Sequence, residues 1–171
     1  LDVQPIRGNV DTRINKVRHG KWAGVVIAEA GLERMNLLGE ITERLPLEQF
    51  PSAAGQGAIA VVAKEGNKEV IDAVRTVDDK ATRAEVTAER RLVLALEGGC
   101  RVPIGAVGHA VGSDLSLFGC IYSLNEPKKI SAIAQGKLAD AEALGKKVGE
   151  DLIRQGAKEY EKEWRQKYGT W

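Results

Sequence analysis

The residues with the most chemical promise stand together: Glu89-Arg90-Arg91, then Leu96-Glu97-Gly98-Gly99-Cys100-Arg101-Val102-Pro103-Ile104. A thiol between a diglycine and an arginine, where a helix should end, is an approachable nucleophile. Glycines remove side-chain bulk and permit left-handed backbone angles, so a large group could be attached at Cys100. Arg101 and Arg90 favour the thiolate, the reactive form, whereas the partial negative charge of a helix C-terminus opposes it. A buried structural cysteine in a glycine turn fits the same residues, because free cysteine is often a core residue.

A second group is cationic. In Arg7-Gly8-Asn9-Val10-Asp11-Thr12-Arg13, Arg7 ends an apolar stretch and Arg13 lies one to two turns into the next helix. Both can face the rim where strands meet helices, the usual ligand position in open α/β sheets. Guanidinium groups there suit carboxylates or phosphates through bidentate hydrogen bonds. Arg34, in Ala28-Glu29-Ala30-Gly31-Leu32-Glu33-Arg34, reaches the same rim from another strand-to-helix turn. Ordinary surface arginines on solvated helix faces account for these residues equally well. Gln56, in Gly55-Gln56-Gly57, is either a ligand contact or a bystander in a tight glycine turn. Cys120, on an alternating stretch, reads as core, and His19 and His109 as structural or exposed.

These residues need elements to position them. Val3 to Ile6, the apolar run Ala23 to Ala28 and Ala58 to Ala63 read as strands, the last two suited to burial on both faces. Helices are expected over Val10 to Arg18, capped by Asn9 or Asp11, and over Leu32 to Leu37, Lys68 to Val77 and Lys80 to Leu96. The long loop Leu45 to Gln56 carries Pro46 and Pro51. Three strands follow, Ile104 to Val111, Leu115 to Tyr122 and Lys129 to Leu138, separated by turns as in an antiparallel meander. A helix from Asp140 to about Tyr168 closes the chain. The expected organisation is a partial α/β cleft-forming region, 1–77, with a boundary near Asp78-Asp79, and an α+β region, 78–171.

Composition narrows the function classes. With 171 residues, 43% hydrophobic and 29% charged, the chain is globular in type. A net charge of +1 lacks the basic excess of a nucleic-acid binder. No apolar run approaches the ~20 residues of a membrane span. Two cysteines and two histidines suggest neither a disulfide framework nor a zinc site, so a reducing, cytoplasm-like compartment is expected. No initiator Met opens the chain, and Leu1-Asp2-Val3 reads as a strand entered midway, as in a processed or truncated polypeptide.

Taken together and in order, RGNVDTR, AEAGLERM, FPSAAGQGAIAV and VTAERRLVLALEGGCRVPIG resemble the carboxy-terminal portion of porphobilinogen deaminase (hydroxymethylbilane synthase). The resemblance implies two α/β domains of type II periplasmic-binding-protein-like fold, facing each other across a cleft, and a third, α+β domain bearing a cofactor cysteine. It implies that Cys100 carries dipyrromethane through a thioether. The primer would be extended by four porphobilinogen units with release of ammonia, and water would free hydroxymethylbilane. Arg7 and Arg13 would bind the cofactor's carboxylates, and Arg7, Arg13, Arg34 and Gln56 the substrate and oligopyrrole intermediates. Arg90 matches an arginine of the cysteine motif.

The departures are specific. The family opens with a domain that supplies a catalytic aspartate, and no segment here matches it, so no catalytic residue is expected within this chain and the fragment alone should be inactive. Val62 and Lys64 stand where the family usually has glutamate and arginine. Two rivals remain: an RNA-binding α+β module, from the helix–three strands–helix order, and a solute-binding fragment that carries no cofactor.

Overall fold

A computed structural model describes all residues except 21, 98–101, 170 and 171. It divides into two compact units, Leu1–Arg44 and Leu45–Trp171. The division follows packing: the loop after Leu45 is bound into the second unit, where Ala106 N donates to the Ser52 carbonyl at 3.0 Å and Tyr122 Oη to that of Gln49 at 3.3 Å. The polar turn at Asp78-Asp79 separates two helices within that unit.

The first unit holds α1 (Val10–Arg18), α2 (Glu29–Arg34) and a 3-10 turn, Leu38–Glu40. Ile14 from α1 and Leu32 from α2 are its buried apolar side chains. Arg18 pairs with Glu40, and Arg44 with Glu29 at 2.8 Å. Asn9 occupies the N-cap of α1 without a side-chain cap bond.

The second unit contains α3 (Lys68–Arg75), α4 (Lys80–Ala95), β1 (Ile104–Val111), β2 (Asp114–Tyr122), β3 (Lys129–Lys137), α5 (Ala141–Arg154) and α6 (Ala157–Tyr168). The strands form one antiparallel sheet in the order β1-β2-β3, with Ala106 opposite Gly119 and Gly119 opposite Ala132. One face packs on α4 and α5. There Leu115, Leu117 and Ile121 of β2 meet Leu92, Val148 and Leu152, each essentially inaccessible to water. Burying each such side chain contributes about 1.5–3 kcal/mol. Asp79 caps α4 by accepting from Thr82 N at 2.7 Å. Small residues bring the layers close: a Cβ built on Gly145 of α5 would stand 2.3 Å from the Ala88 carbonyl oxygen of α4.

Three expected strands do not form. Val3–Ile6, Ala23–Ala28 and Ala58–Ala63 have no ladder partner, and among the described residues the only sheet lies within 104–137. An apolar run becomes a buried strand only when neighbours take its N–H and C=O groups and cover its side chains. Without them Val26 is 77% exposed, Ile59 80% and Val62 90%. The α+β half is therefore present, and no parallel sheet forms among the described residues.

The expected final helix is two. Gly156 has φ 102°, a left-handed angle that ends α5 after Arg154 and turns the chain into α6. Trp164 of α6 donates from Nε1 to the Tyr122 carbonyl at 2.9 Å. Cys120 is fully buried, as its place on an alternating strand suggested.

Candidate functional site

In the first unit the Arg7–Arg13 stretch folds around one glycine. Gly8 has φ 124°, and a Cβ there would lie 2.8 Å from Thr12 Cγ2, so no other residue fits this entry to α1. Arg13 folds back, donating from Nε to the Gly8 carbonyl at 2.7 Å, and Lys16 Nζ donates to the Arg7 carbonyl at 2.8 Å. Arg7 and Arg34 are exposed, Arg34 in the last turn of α2. Among the described residues none of Arg7, Arg13 and Arg34 is paired with a carboxylate, although Arg18 and Arg44 in the same unit are. These three guanidinium groups are thus left without an anionic partner among the described residues, a donor set suited to carboxylates or phosphates.

In the second unit the Gly55-Gln56-Gly57 turn is built on two left-handed glycines, with φ 74° at Gly55 and 89° at Gly57. The Gln56 side chain is exposed on it. The turn is fastened by a residue to which the sequence reading gave no role, Glu89. Its Oε2 accepts from Gly55 N at 2.7 Å and its Oε1 from Gly108 N at 2.8 Å, with the side chain buried. One turn earlier on α4, Glu85 accepts from Ala110 N at 2.8 Å. Ser52, Glu89 and Glu85 therefore take the N–H groups of Ala106, Gly108 and Ala110, alternate positions along the outer margin of β1. The available signal was helical spacing: Glu89, Leu92 and Leu96 fall on one face.

Cys100 and its neighbours 98, 99 and 101 lie outside the described residues. The residues around that stretch, Leu96 and Val102, are both buried. Arg90 is exposed on α4. Cys120, the free cysteine among the described residues, is held away from reactivity, since burial pushes its thiol up despite the opposing pull of Tyr122, Gly105 N and Lys129.

Residues 1–72 match a family model described as porphobilinogen deaminase, dipyromethane cofactor binding domain, and residues 83–154 one described as porphobilinogen deaminase, C-terminal domain. The chain belongs to the porphobilinogen deaminase family. It is 40% identical over 168 residues to the porphobilinogen deaminases of Mycobacterium tuberculosis (strain ATCC 25618 / H37Rv) and Mycobacterium bovis (strain BCG / Pasteur 1173P2), an alignment that takes in 93% of this chain and 54% of each relative. The enzyme of Mycobacterium avium (strain 104) has the same identity, with 53% of its length covered. The chain thus spans about half the length of the curated relatives it matches. The first matched region contains Arg7, Arg13, Arg34 and Gln56, and the second contains Glu89, Arg90 and Cys100. The helix–three strands–helix order that suggested an RNA-binding module falls largely within the deaminase C-terminal match. No helix among the described residues is long and apolar enough to cross a membrane, and no cluster of three His, Cys, Asp or Glu side chains there could hold a metal.

Glu89 gives the deaminase C-terminal region a pH signature. Burial pushes its carboxyl up more strongly than the Gly108 and Gly55 N–H bonds pull it down, and Glu85 adds to the push. Its folded pKa therefore exceeds its unfolded one, so this contribution to stability is fullest at low pH. It is lost as pH climbs from the ordinary 4.5 through the raised value. Glu89→Gln should flatten that decline in denaturant titrations run across this range. An unchanged slope would remove Glu89 as its source.

Proposed function

We propose that this chain is the cofactor-bearing and carboxylate-holding portion of a hydroxymethylbilane synthase. Bound dipyrromethane supplies the primer to which four porphobilinogen units are joined. Each addition would form one carbon–carbon bond, break the aminomethyl carbon–nitrogen bond and the α carbon–hydrogen bond, and release the amine with that proton as ammonia; water would finally free the tetrapyrrole. In this reading Cys100 holds the primer by a thioether and stays bonded throughout. Arg7 and Arg13 hold carboxylates of cofactor and growing chain, while Arg34 and Gln56 hold substrate. Each pyrrole carries two carboxylates, and arginine neutralises the accumulating charge with directional bonds and no proton exchange.

The observation that supports the reading is that Arg7, Arg13 and Arg34, in the region that matches the cofactor-binding domain, have no carboxylate partner among the described residues. The rest of the active site, a catalytic aspartate included, comes from a domain absent here, on the same gene product or a separate chain. That domain would also give Ala23–Ala28 and Ala58–Ala63 their ladder partners, completing a type II periplasmic-binding-protein-like α/β pair. The cofactor-bearing α+β domain is 78–171, with 1–77 belonging to the cleft. The free, buried thiol of Cys120 accords with a reducing, cytoplasmic setting, with porphobilinogen and oligopyrroles as partners rather than nucleic acid or membrane.

The test uses the complete gene product supplied with porphobilinogen. A stable mass increase on the peptide containing Cys100, reactive with Ehrlich's reagent, is expected. Arg13→Ala should slow cofactor assembly or chain extension by about tenfold or more, since a charge-assisted hydrogen bond is worth roughly 1.5–3 kcal/mol. Wild-type kinetics would take Arg13 out of the site.

A further inference from the structure

Gln56 stands on a turn that cannot place itself. Beyond Gly57 the chain from Ala58 to Ala63 has no ladder partner, and Ile59 and Val62 are exposed. Within the turn, Gln56 N donates to the Ala53 carbonyl at 3.0 Å and Ala58 N to that of Gly55 at 3.3 Å. These bonds set the shape of the turn and leave its position open. The position comes from the residues just before Gln56. Ser52 takes the Ala106 N–H, Ala54 packs against the core, and Gly55 N donates to Glu89. The bond to Glu89 is made by the residue next to Gln56.

Glu89 has the geometry of a fixed post. One of its oxygens takes the turn and the other takes the Gly108 N–H of β1, at 2.7 and 2.8 Å. A buried carboxyl group held through both oxygens has little freedom to rotate. Gly108 makes the reach possible: a Cβ there would lie 2.9 Å from Glu85 Cα, so a side chain would push β1 off α4. The tie joins the two matched regions, since Gly55 falls within 1–72 and Glu89 and Gly108 within 83–154.

We propose that Glu89 is the positioning residue for Gln56, setting where that side-chain amide meets a carboxylate-bearing pyrrole. The inference rests on Gln56 being a substrate contact, and the test separates the two.

In the 171-residue chain, amide hydrogen exchange is followed residue by residue by NMR. Glu89→Gln keeps one acceptor oxygen and puts an NH2 group in place of the other, so one N–H loses its partner. The loss should fall on Gly55, whose turn is less supported than β1. Its exchange should rise about tenfold through local opening, while Leu117, buried in β2, keeps its rate.

Kinetics are measured on the complete gene product with porphobilinogen. Gln56→Ala and Glu89→Gln should each raise KM about fivefold, roughly one hydrogen bond's worth, with kcat little changed. The double variant should match Gln56→Ala, because displacing an amide has no effect once the amide is gone. Glu85→Gln is the control. It loses the bond to Ala110 N and leaves the Gln56 turn alone, so KM should stay within about twofold of wild type. Glu89→Asp, one methylene shorter, is the milder variant should Glu89→Gln fold poorly, with a smaller rise in KM. Additive losses in the double variant, an equal rise with Glu85→Gln, or exchange that climbs in parallel at Gly55 and Leu117 would overturn the positioning role alone. Wild-type kinetics for Gln56→Ala would instead remove Gln56 from the substrate contacts, and this inference with it.

Discussion

We expect Cys100→Ser, made in the complete gene product, to abolish pigment attachment and turnover. A serine hydroxyl at neutral pH lacks the anionic nucleophile that a thiol supplies, so no bond to the primer forms. Without a tether, each condensation reverts from a local event to an encounter in solution, and intermediates diffuse away. The rate should fall by at least about a thousandfold, given what proximity contributes. Intact mass and Ehrlich colour give the readout, and Cys120→Ser is the control. Cys120 is buried and its thiol is pushed up by that burial, so it offers no second point of attachment. Pigment retained by Cys100→Ser would place the tether elsewhere and withdraw the proposed function as stated.

Gly145→Ala should produce the largest stability loss of any single methyl added to the helical layer. The new Cβ would lie 2.3 Å from the Ala88 carbonyl oxygen and 2.7 Å from Arg91 Cβ. The first contact is backbone on backbone, so relief requires α4 and α5 to separate. At Gly119 the nearest obstacle is Leu92 Cδ1, also at 2.3 Å, which a rotamer change can move. Alanine's helix preference returns about 1 kcal/mol, against an overpacking cost of about 3 kcal/mol. The net loss is roughly 2 kcal/mol, several degrees in Tm for a domain of this size. Gly39→Ala, whose Cβ meets nothing within 4 Å, should stay within about 0.5 kcal/mol of wild type. Equal stability of the two variants would refute close α4–α5 packing. The effect reaches function because α4 carries Glu89 and leads into the Cys100 stretch.

The α+β half was legible because its signals are local. Alternation and turn residues give β1 at Ile104–Val111 as expected, and β2 and β3 within one residue of expectation; apolar periodicity gives α4. The α/β half was not. Apolar runs at Ala23–Ala28 and Ala58–Ala63 report a need for burial, and only a neighbouring strand turns that need into a ladder. Gly156 was read through because the polar residues around it keep a helical composition, whereas its φ of 102° is a property of the backbone. At the site, residue types were legible and pairings were not. Nothing in the order of residues shows that Arg13 turns back onto Gly8 or that Arg165 reaches Glu97 across 68 positions. Glu89 resembled any helix carboxylate because its partners, Gly55 and Gly108, stand 34 and 19 positions away.

The row of acceptors along β1 bears on self-association. A bare sheet margin recruits strands from other molecules, but here Ser52, Glu89 and Glu85 already satisfy the outward donors of Ala106, Gly108 and Ala110. Growth of this sheet by addition of a foreign strand is thereby blocked on one side. Stacking into fibrils would have to begin at β3, where Gln155 Nε2 already engages the Ser131 carbonyl at 3.2 Å.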